Sequence, residues 1–180
     1  MYRIVSGIIT HQQHIETLHS TPEVYRPPRC PGCGLAGLWR HGCYSRKANR
    51  RPAFDDECLN PIPIPRFRCP GCWRTCSRLP SCIPPRRWHS WLLQQQVLQC
   101  LLAGCSFHRC AAMFGLCRHT VRRWRNWLES RTPEFEFILR SRLAEWGRAA
   151  NWKSFWTGCL SCTPLSEVMA WLDFDGLDIP

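Results

Sequence analysis

Four cysteines are spaced for metal chemistry. Cys30-Pro31-Gly32-Cys33-Gly34 and Cys69-Pro70-Gly71-Cys72 are two CPxC turns. Each aims two thiolates at one centre, because the tight turn presents backbone N–H groups beneath the sulfurs, and two such pairs complete a tetrahedral site. Pro and Gly at matching positions set them apart from four ordinary buried or disulfide-bonded cysteines. Four thiolates leave no open position for water. The reading is therefore one structural Zn2+ per chain, held by Cys30, Cys33, Cys69 and Cys72, that contributes folding energy instead of catalysis; iron accepts the same ligand set. Cys43, Cys58, Cys76 and Cys82 lack a paired spacing and are read as small buried side chains, and His41 as a packing or hydrogen-bonding residue.

A second constellation is cationic. Residues 107–126, FHRCAAMFGLCRHTVRRWRN, have the spacing of a helix-turn-helix: a small residue where two helices touch (Ala111), a Gly at the turn (Gly115) and apolar residues locking the second helix (Val121, Trp124). At about 100° per residue, Val121, Trp124 and Leu128 share one face of that helix, and His119, Arg122, Arg123 and Asn126 lie roughly opposite. Docked by its N-terminal half in a major groove, the helix offers His119, Arg122 and Arg123 to base edges, Arg118, Thr120 and Arg125 to phosphates, and Asn126 to adenine.

These residues need elements to position them. Residues 1–28 read as a cap, with a loose strand over 2–9 and a helix from Thr10 to about His19. Residues 29–85, rich in Pro, Gly, Cys and Arg, read as a zinc ribbon with strands at Leu38–Tyr44 and Ile62–Arg68. The spacer between the cysteine pairs exceeds the roughly 15–20 residues common in such motifs, and residues 46–60 are expected to be a hairpin extension of the ribbon. Past Pro84-Pro85 the period becomes helical, giving a first helix over 88–103 and a helix-turn-helix domain over 86–130. In it Phe107, Cys110 and Phe114 face the first helix and Ser106 caps the second. Thr132-Pro133-Glu134 and Thr163-Pro164 read as starts of helices over 134–149 and 164–172 in a C-terminal helical segment, 131–180. The fold class expected is α+β.

The charge agrees with a nucleic-acid partner. Lys and Arg outnumber Asp and Glu by 24 to 13, a net +11, which favours a polyanion through attraction and counterion release. The excess is local: 19 basic against 6 acidic residues over 1–130, but 5 against 7 over 131–180. Arg46, Lys47, Arg50 and Arg51, with Arg66, Arg68, Arg74 and Arg78, make the ribbon a second basic surface for the DNA backbone. Trp73 is read as a shield for the metal, and Trp88, Trp91, Trp124 and Trp127 as packing. Without an apolar run of about 20 residues or a signal peptide, the expectation is a cytoplasmic protein without a membrane partner; in a reducing compartment its 14 cysteines are ligands and hydrophobes, not disulfides.

Together, Cys30–Gly34, His41-Gly42-Cys43-Tyr44-Ser45-Arg46, Arg66–Cys72, Arg74-Thr75-Cys76-Ser77 and the helix pair at 107–126 resemble the N-terminal zinc ribbon and helix-turn-helix of insertion-sequence transposases. The match covers about a quarter of the chain residue by residue. The resemblance implies recognition of the terminal repeats of a mobile element on double-stranded DNA, with strand cleavage by a following RNase-H-like domain. About 50 residues follow Leu128, too few for that domain. Asp173, Asp175 and Asp178 crowd one terminal segment, whereas a metal-binding catalytic triad draws on separated elements. There is also no HExxH, no nucleophile with a matched base and no Gly-rich phosphate loop. The expectation is a sequence-specific DNA-binding protein without a catalytic site, partnered by a separate transposase. A stand-alone transcription regulator is the alternative, and a zinc-ribbon interaction adaptor the third reading. The apolar 131–180 segment is expected to pack on the helical domain or to form a homodimer interface.

Overall fold

The structure is a computed structural model that describes residues 3–47, 61–85, 89–142 and 149–179. Arg50, Arg51, Cys58, Trp88, Trp146 and most of the expected 46–60 hairpin extension lie outside the described residues. The fold is α+β and divides into two compact units. One is Met1–Ser90 with Met169–Pro180; the other is Trp91–Val168.

In the first unit, β1 (Ile4–Val5) is shorter than the strand expected over 2–9 and pairs in parallel with β5 (Leu79–Pro80). The expected cap and ribbon are therefore joined by a strand pair. Helix α1 (His11–Ser20) starts at a capping box in which Thr10 accepts from the Gln13 N–H and the Gln13 side chain accepts from the Thr10 N–H. A 3-10 turn (Pro22–Tyr25) follows. Strands β2 (Trp39–Arg46), β3 (Ile62–Arg68) and β4 (Thr75–Cys76) form an antiparallel sheet in the order β2-β3-β4.

Two sequence features shape this sheet. Pairing passes from Arg40–Phe67 to Cys43–Pro65, so His41 and Gly42 oppose one residue; Gly42 takes φ +74° at this bulge. Pro63 and Pro65 sit in β3 beyond the two residues that pair with β4, where no ladder bond is required of a missing N–H. There the Pro63 carbonyl accepts from His14 Nε2 at 2.8 Å, while His14 Nδ1 accepts from the Tyr25 hydroxyl at 2.6 Å. Burial pushes the His14 pKa below its usual 6.5, which favours the neutral ring that donates to Pro63 and accepts from Tyr25.

Two small clusters fill the unit. Val5, Ile8, Tyr25, Leu38 and Phe67 pack with Cys30 and Cys69, and Ile62, Ile64, Leu79 and Ile83 form the other. Arg78, expected on the basic surface, is buried and donates to the carbonyls of Val24 and Ile4. Cys43, expected inside, is exposed because β2 is an edge strand with an open face. Buried Asp173 accepts from the backbone N–H groups of Arg3 and Ile4, at 2.7 Å for Ile4, and thereby ties down the start of β1.

The second unit is helical. Helix α2 (Trp91–Leu102), α3 (Phe107–Phe114) and α4 (Arg118–Arg142) pack together with α5 (Trp152–Cys162). The helix break expected at Thr132-Pro133 is absent: α4 runs through Pro133, and the boundary expected at residue 130 falls inside it. Pro in a helix interior costs about 3 kcal/mol. Packing offsets it, since Leu128, Thr132, Phe135 and Leu139 are buried, Trp156 Nε1 donates to Thr132 Oγ1 at 2.9 Å, and that hydroxyl donates to the Leu128 carbonyl.

Helix α5 is also new relative to the sequence reading. Its start is a capping box between Asn151 and Ser154. Helix α6 (Leu165–Phe174) begins close to the expected position 164. Gln95 and Gln99, one turn apart on α2, satisfy the α5–α6 corner: both donate to the Leu160 carbonyl, and Gln95 Oε1 accepts from the Leu165 N–H at 2.8 Å. No helix among the described residues is long and apolar enough to cross a membrane.

Candidate metal centre and basic helix face

The four CPxC sulfurs converge. The ligand atoms of Cys30, Cys33, Cys69 and Cys72 all lie within 4.8 Å of one another, with Cys30–Cys72 and Cys33–Cys69 each at 3.5 Å. Four sulfurs about 2.3 Å from one tetrahedral ion stand about 3.8 Å apart, so the cluster is of the right size for a metal of that radius. The donor set suits zinc. No second group of this kind occurs among the described residues, and Cys43, Cys76 and Cys82 stand outside it.

The two turns are built alike. In each, the first cysteine's N–H donates five residues on, Cys30 to Leu35 at 2.8 Å and Cys69 to Arg74 at 3.0 Å. Its carbonyl accepts from four residues on, Gly34 at 2.9 Å and Trp73 at 3.1 Å. They also interlock reciprocally. A Cβ at Gly71 would stand 3.0 Å from Leu35 of the first turn, and one at Gly32 would stand 3.3 Å from Arg74 of the second. A side chain at either glycine would press on its neighbour in the other turn, so the repeated glycine eases the close approach of the two turns. Gly34 adopts φ +77°, and the equivalent residue of the second turn is Trp73 at φ +59°, the one non-glycine with positive φ among the described residues. That conformation costs an L-residue roughly 1–2 kcal/mol.

Electrostatics separate these thiols from the others. The N–H groups of Gly32 and Cys33 pull Cys30 down to about 6. Those of Cys72 and Gly71 lower Cys69 against the effect of burial. At Cys33 the Leu35 N–H pulls downward, but the shared charge of Cys69 and burial outweigh it and lift the thiol to about 11. That is the behaviour of a pair sharing one proton, which a cation displaces. Burial drives Cys82 and Cys159 up to about 12, leaving them as inert packing thiols.

The basic face lies on α4. Ser106 caps α3 by accepting from the Arg109 N–H. The helix ends at Gly115, φ +61°, with Gly115 N–H bonded to Ala112 and Leu116 N–H to Ala111, the left-handed stop that lets the chain turn into α4 after three residues. Val121, Trp124 and Leu128 are buried, and Arg118, His119, Arg122, Arg123 and Asn126 are exposed, as the 100° rotation requires. Arg118, His119 and Arg122 line a surface concavity of about 350 Å³ together with Phe107. Phe107 and Phe114 are only half-buried, while Cys110 fills the core.

Other expected contacts are placed differently. Thr120 is half-buried. Arg125 pairs with Glu129 at 3.1 Å and lies over Trp152. In the first unit Arg46 donates to the Pro84 carbonyl at 2.6 Å, whereas Lys47 is exposed. The exposed aromatic pair beside the metal turns, Trp39 and Trp73, escaped the sequence reading, which treats Trp73 as a shield. Their tryptophan type and position next to Arg40 and Arg74 were the available signals.

Comparison with protein-family models, with curated proteins and with solved structures finds no match for this chain.

Proposed function

We propose that the chain is a sequence-specific double-stranded-DNA-binding protein, in which a zinc ribbon closed by Cys30, Cys33, Cys69 and Cys72 accompanies a helix-turn-helix formed by α3 and α4. The observation that carries the reading is the concavity lined by Arg118, His119 and Arg122 at the N-terminal end of α4, three residues after a left-handed glycine turn. It offers cations and exposed donors where a recognition helix meets base edges. Arg122 and Arg123 are the proposed base readers, Arg118 and Thr120 the phosphate contacts, and Asn126 a contact to adenine. Arg125 serves first to brace α4, through Glu129.

The target proposed is the end of a mobile element, on the resemblance of the cysteine turns and helix pair to insertion-sequence transposases. Binding without cleavage is proposed as well. Asp173 is occupied by backbone N–H groups and Asp178 pairs with Arg3, which supports a structural role for these two terminal carboxylates. Strand cleavage falls to a separate transposase. The test is selection of the zinc-loaded chain against a random duplex pool, beside Arg122→Ala/Arg123→Ala. One enriched motif, lost in the variant, is expected. No enrichment, or enrichment unchanged in the variant, would overturn the reading.

A further inference from the structure

We propose that Trp39 and Trp73 form a stacking platform for an unpaired nucleotide of a DNA strand, separate from the α4 face and resting on the reading of the chain as a DNA-binding protein. The two indoles meet edge to face, with centroids 6.2 Å apart and planes at 77°. They are 54% and 56% exposed, unlike the buried Trp91, Trp124 and Trp156. Three independent placements assemble the site. The β2–β3 register sets Trp39 opposite Arg68, the second cysteine turn delivers Trp73, and the Arg68 guanidinium lies 4.7 Å over the Trp73 ring.

The backbone makes an interaction role for Trp73 more economical than a structural one. The first cysteine turn meets the same φ requirement with Gly34 and works without a side chain there. The second turn keeps an indole in a left-handed conformation and exposes more than half of it. A fold requirement would be met better by glycine, so what the indole supplies is directed outward.

Charge selects the occupant. The described residues of 29–47 and 61–85 include Arg29, Arg40, Arg46, Lys47, Arg66, Arg68, Arg74 and Arg78 and contain no Asp or Glu. Arg40 and Arg74, the chain neighbours of Trp39 and Trp73, are exposed. An exposed indole pair edged by Arg40, Arg68 and Arg74, with no acid among the described residues of these two segments, fits a ligand that is flat, apolar on its faces and polyanionic along its edge. An unstacked nucleotide has those properties. A duplex hides its base faces, so the platform is specific for strands that are open or frayed.

The experiment uses the zinc-loaded full chain with a labelled oligodeoxythymidine strand and with a labelled duplex, read by fluorescence anisotropy. Trp73→Gly is the principal variant, because glycine is what the matching turn carries; Trp39→Ala is the second. The expected result is that each variant binds the strand about tenfold or more weakly, the range for loss of one stacking aromatic, while zinc content, melting temperature and duplex affinity hold. Arg122→Ala/Arg123→Ala is expected to do the reverse, weakening the duplex and sparing the strand. Strand affinity unchanged in both tryptophan variants overturns the proposal. So does loss of zinc or a lower melting temperature in Trp73→Gly, which would make Trp73 a structural lid, and so does equal competition by a polyglutamate peptide, which would reduce the surface to charge alone. Duplex binding without strand binding sinks the platform and leaves the α4 reading standing; binding to neither sinks both.

Discussion

The two units solve the same problem, closing a small core, by opposite means. The first gathers two modest apolar clusters and brings two metal-site cysteines into one of them; its remaining order comes from single polar ties such as His14 between Tyr25 and Pro63, and Asp173 at the start of β1. The second buries Trp124, Trp156, Phe135, Phe155, Leu128 and Leu139 on α4 and α5 and, among the described residues, holds no cluster of metal-ligating side chains. Short strands broken by proline bury little apolar area, and on the reading proposed above an ion held by the two cysteine turns would add to it. Large aromatics at helical spacing need no such addition.

The sharpest way to break that contrast is to take away the metal. A chelator, or Cys69→Ser, is expected to remove an interaction worth on the order of 10 kcal/mol in small zinc domains. The resonances of Ile62, Ile64 and Phe67 should collapse while the far-ultraviolet helical signal from α2 to α5 largely persists. Equal loss in both units would erase the distinction. The reciprocal lesion is Trp156→Ala, which empties a fully buried site and removes the donor to Thr132. A loss of about 3–5 kcal/mol in urea unfolding of the helical unit is expected, with zinc content unchanged.

Two further substitutions should have smaller effects, one in each unit. Pro133→Ala restores a helical N–H inside α4 and should stabilise the helical unit by about 1–3 kcal/mol; destabilisation would show that α4 depends on the proline. The last effect belongs to the first unit. Burial lowers the His14 pKa, so the neutral ring contributes stability that is full above about 6.5, its unfolded value, and lost as pH falls through the depressed folded value. The unfolding midpoint of the first unit should drop between pH 7.5 and pH 5, and His14→Gln should flatten part of that slope. A slope identical in wild type and variant would assign the acid sensitivity to the thiolates alone.

Local chemistry was legible in the sequence and reciprocal geometry was not. The CPxC turns, the Thr10 helix start, β3 at Ile62–Arg68, the Gly115 turn and the buried face of Val121, Trp124 and Leu128 each follow from spacings within a dozen residues, and the structure places them as read. The break at Pro133 failed because propensity is a local prior, and the burial of Leu128, Phe135 and Leu139 overrides it. Helix α5 carried a start signal, Asn151 with Ser154, but its tryptophans read equally well as a dimer surface. Arg46 and Arg78 looked like surface cations because no sequence pattern reveals that the carbonyls of Pro84, Val24 and Ile4 await them. The pairing of Gly32 with Arg74 and of Gly71 with Leu35 exists only once the two turns meet.

The most direct measurement is zinc K-edge X-ray absorption on the chain purified with its native metal, together with metal content per chain. One zinc with four sulfur neighbours at about 2.3 Å, and no nitrogen or oxygen in the first coordination sphere, is expected. A chain that folds without metal, or a zinc bound through mixed nitrogen and sulfur ligands, would contradict it.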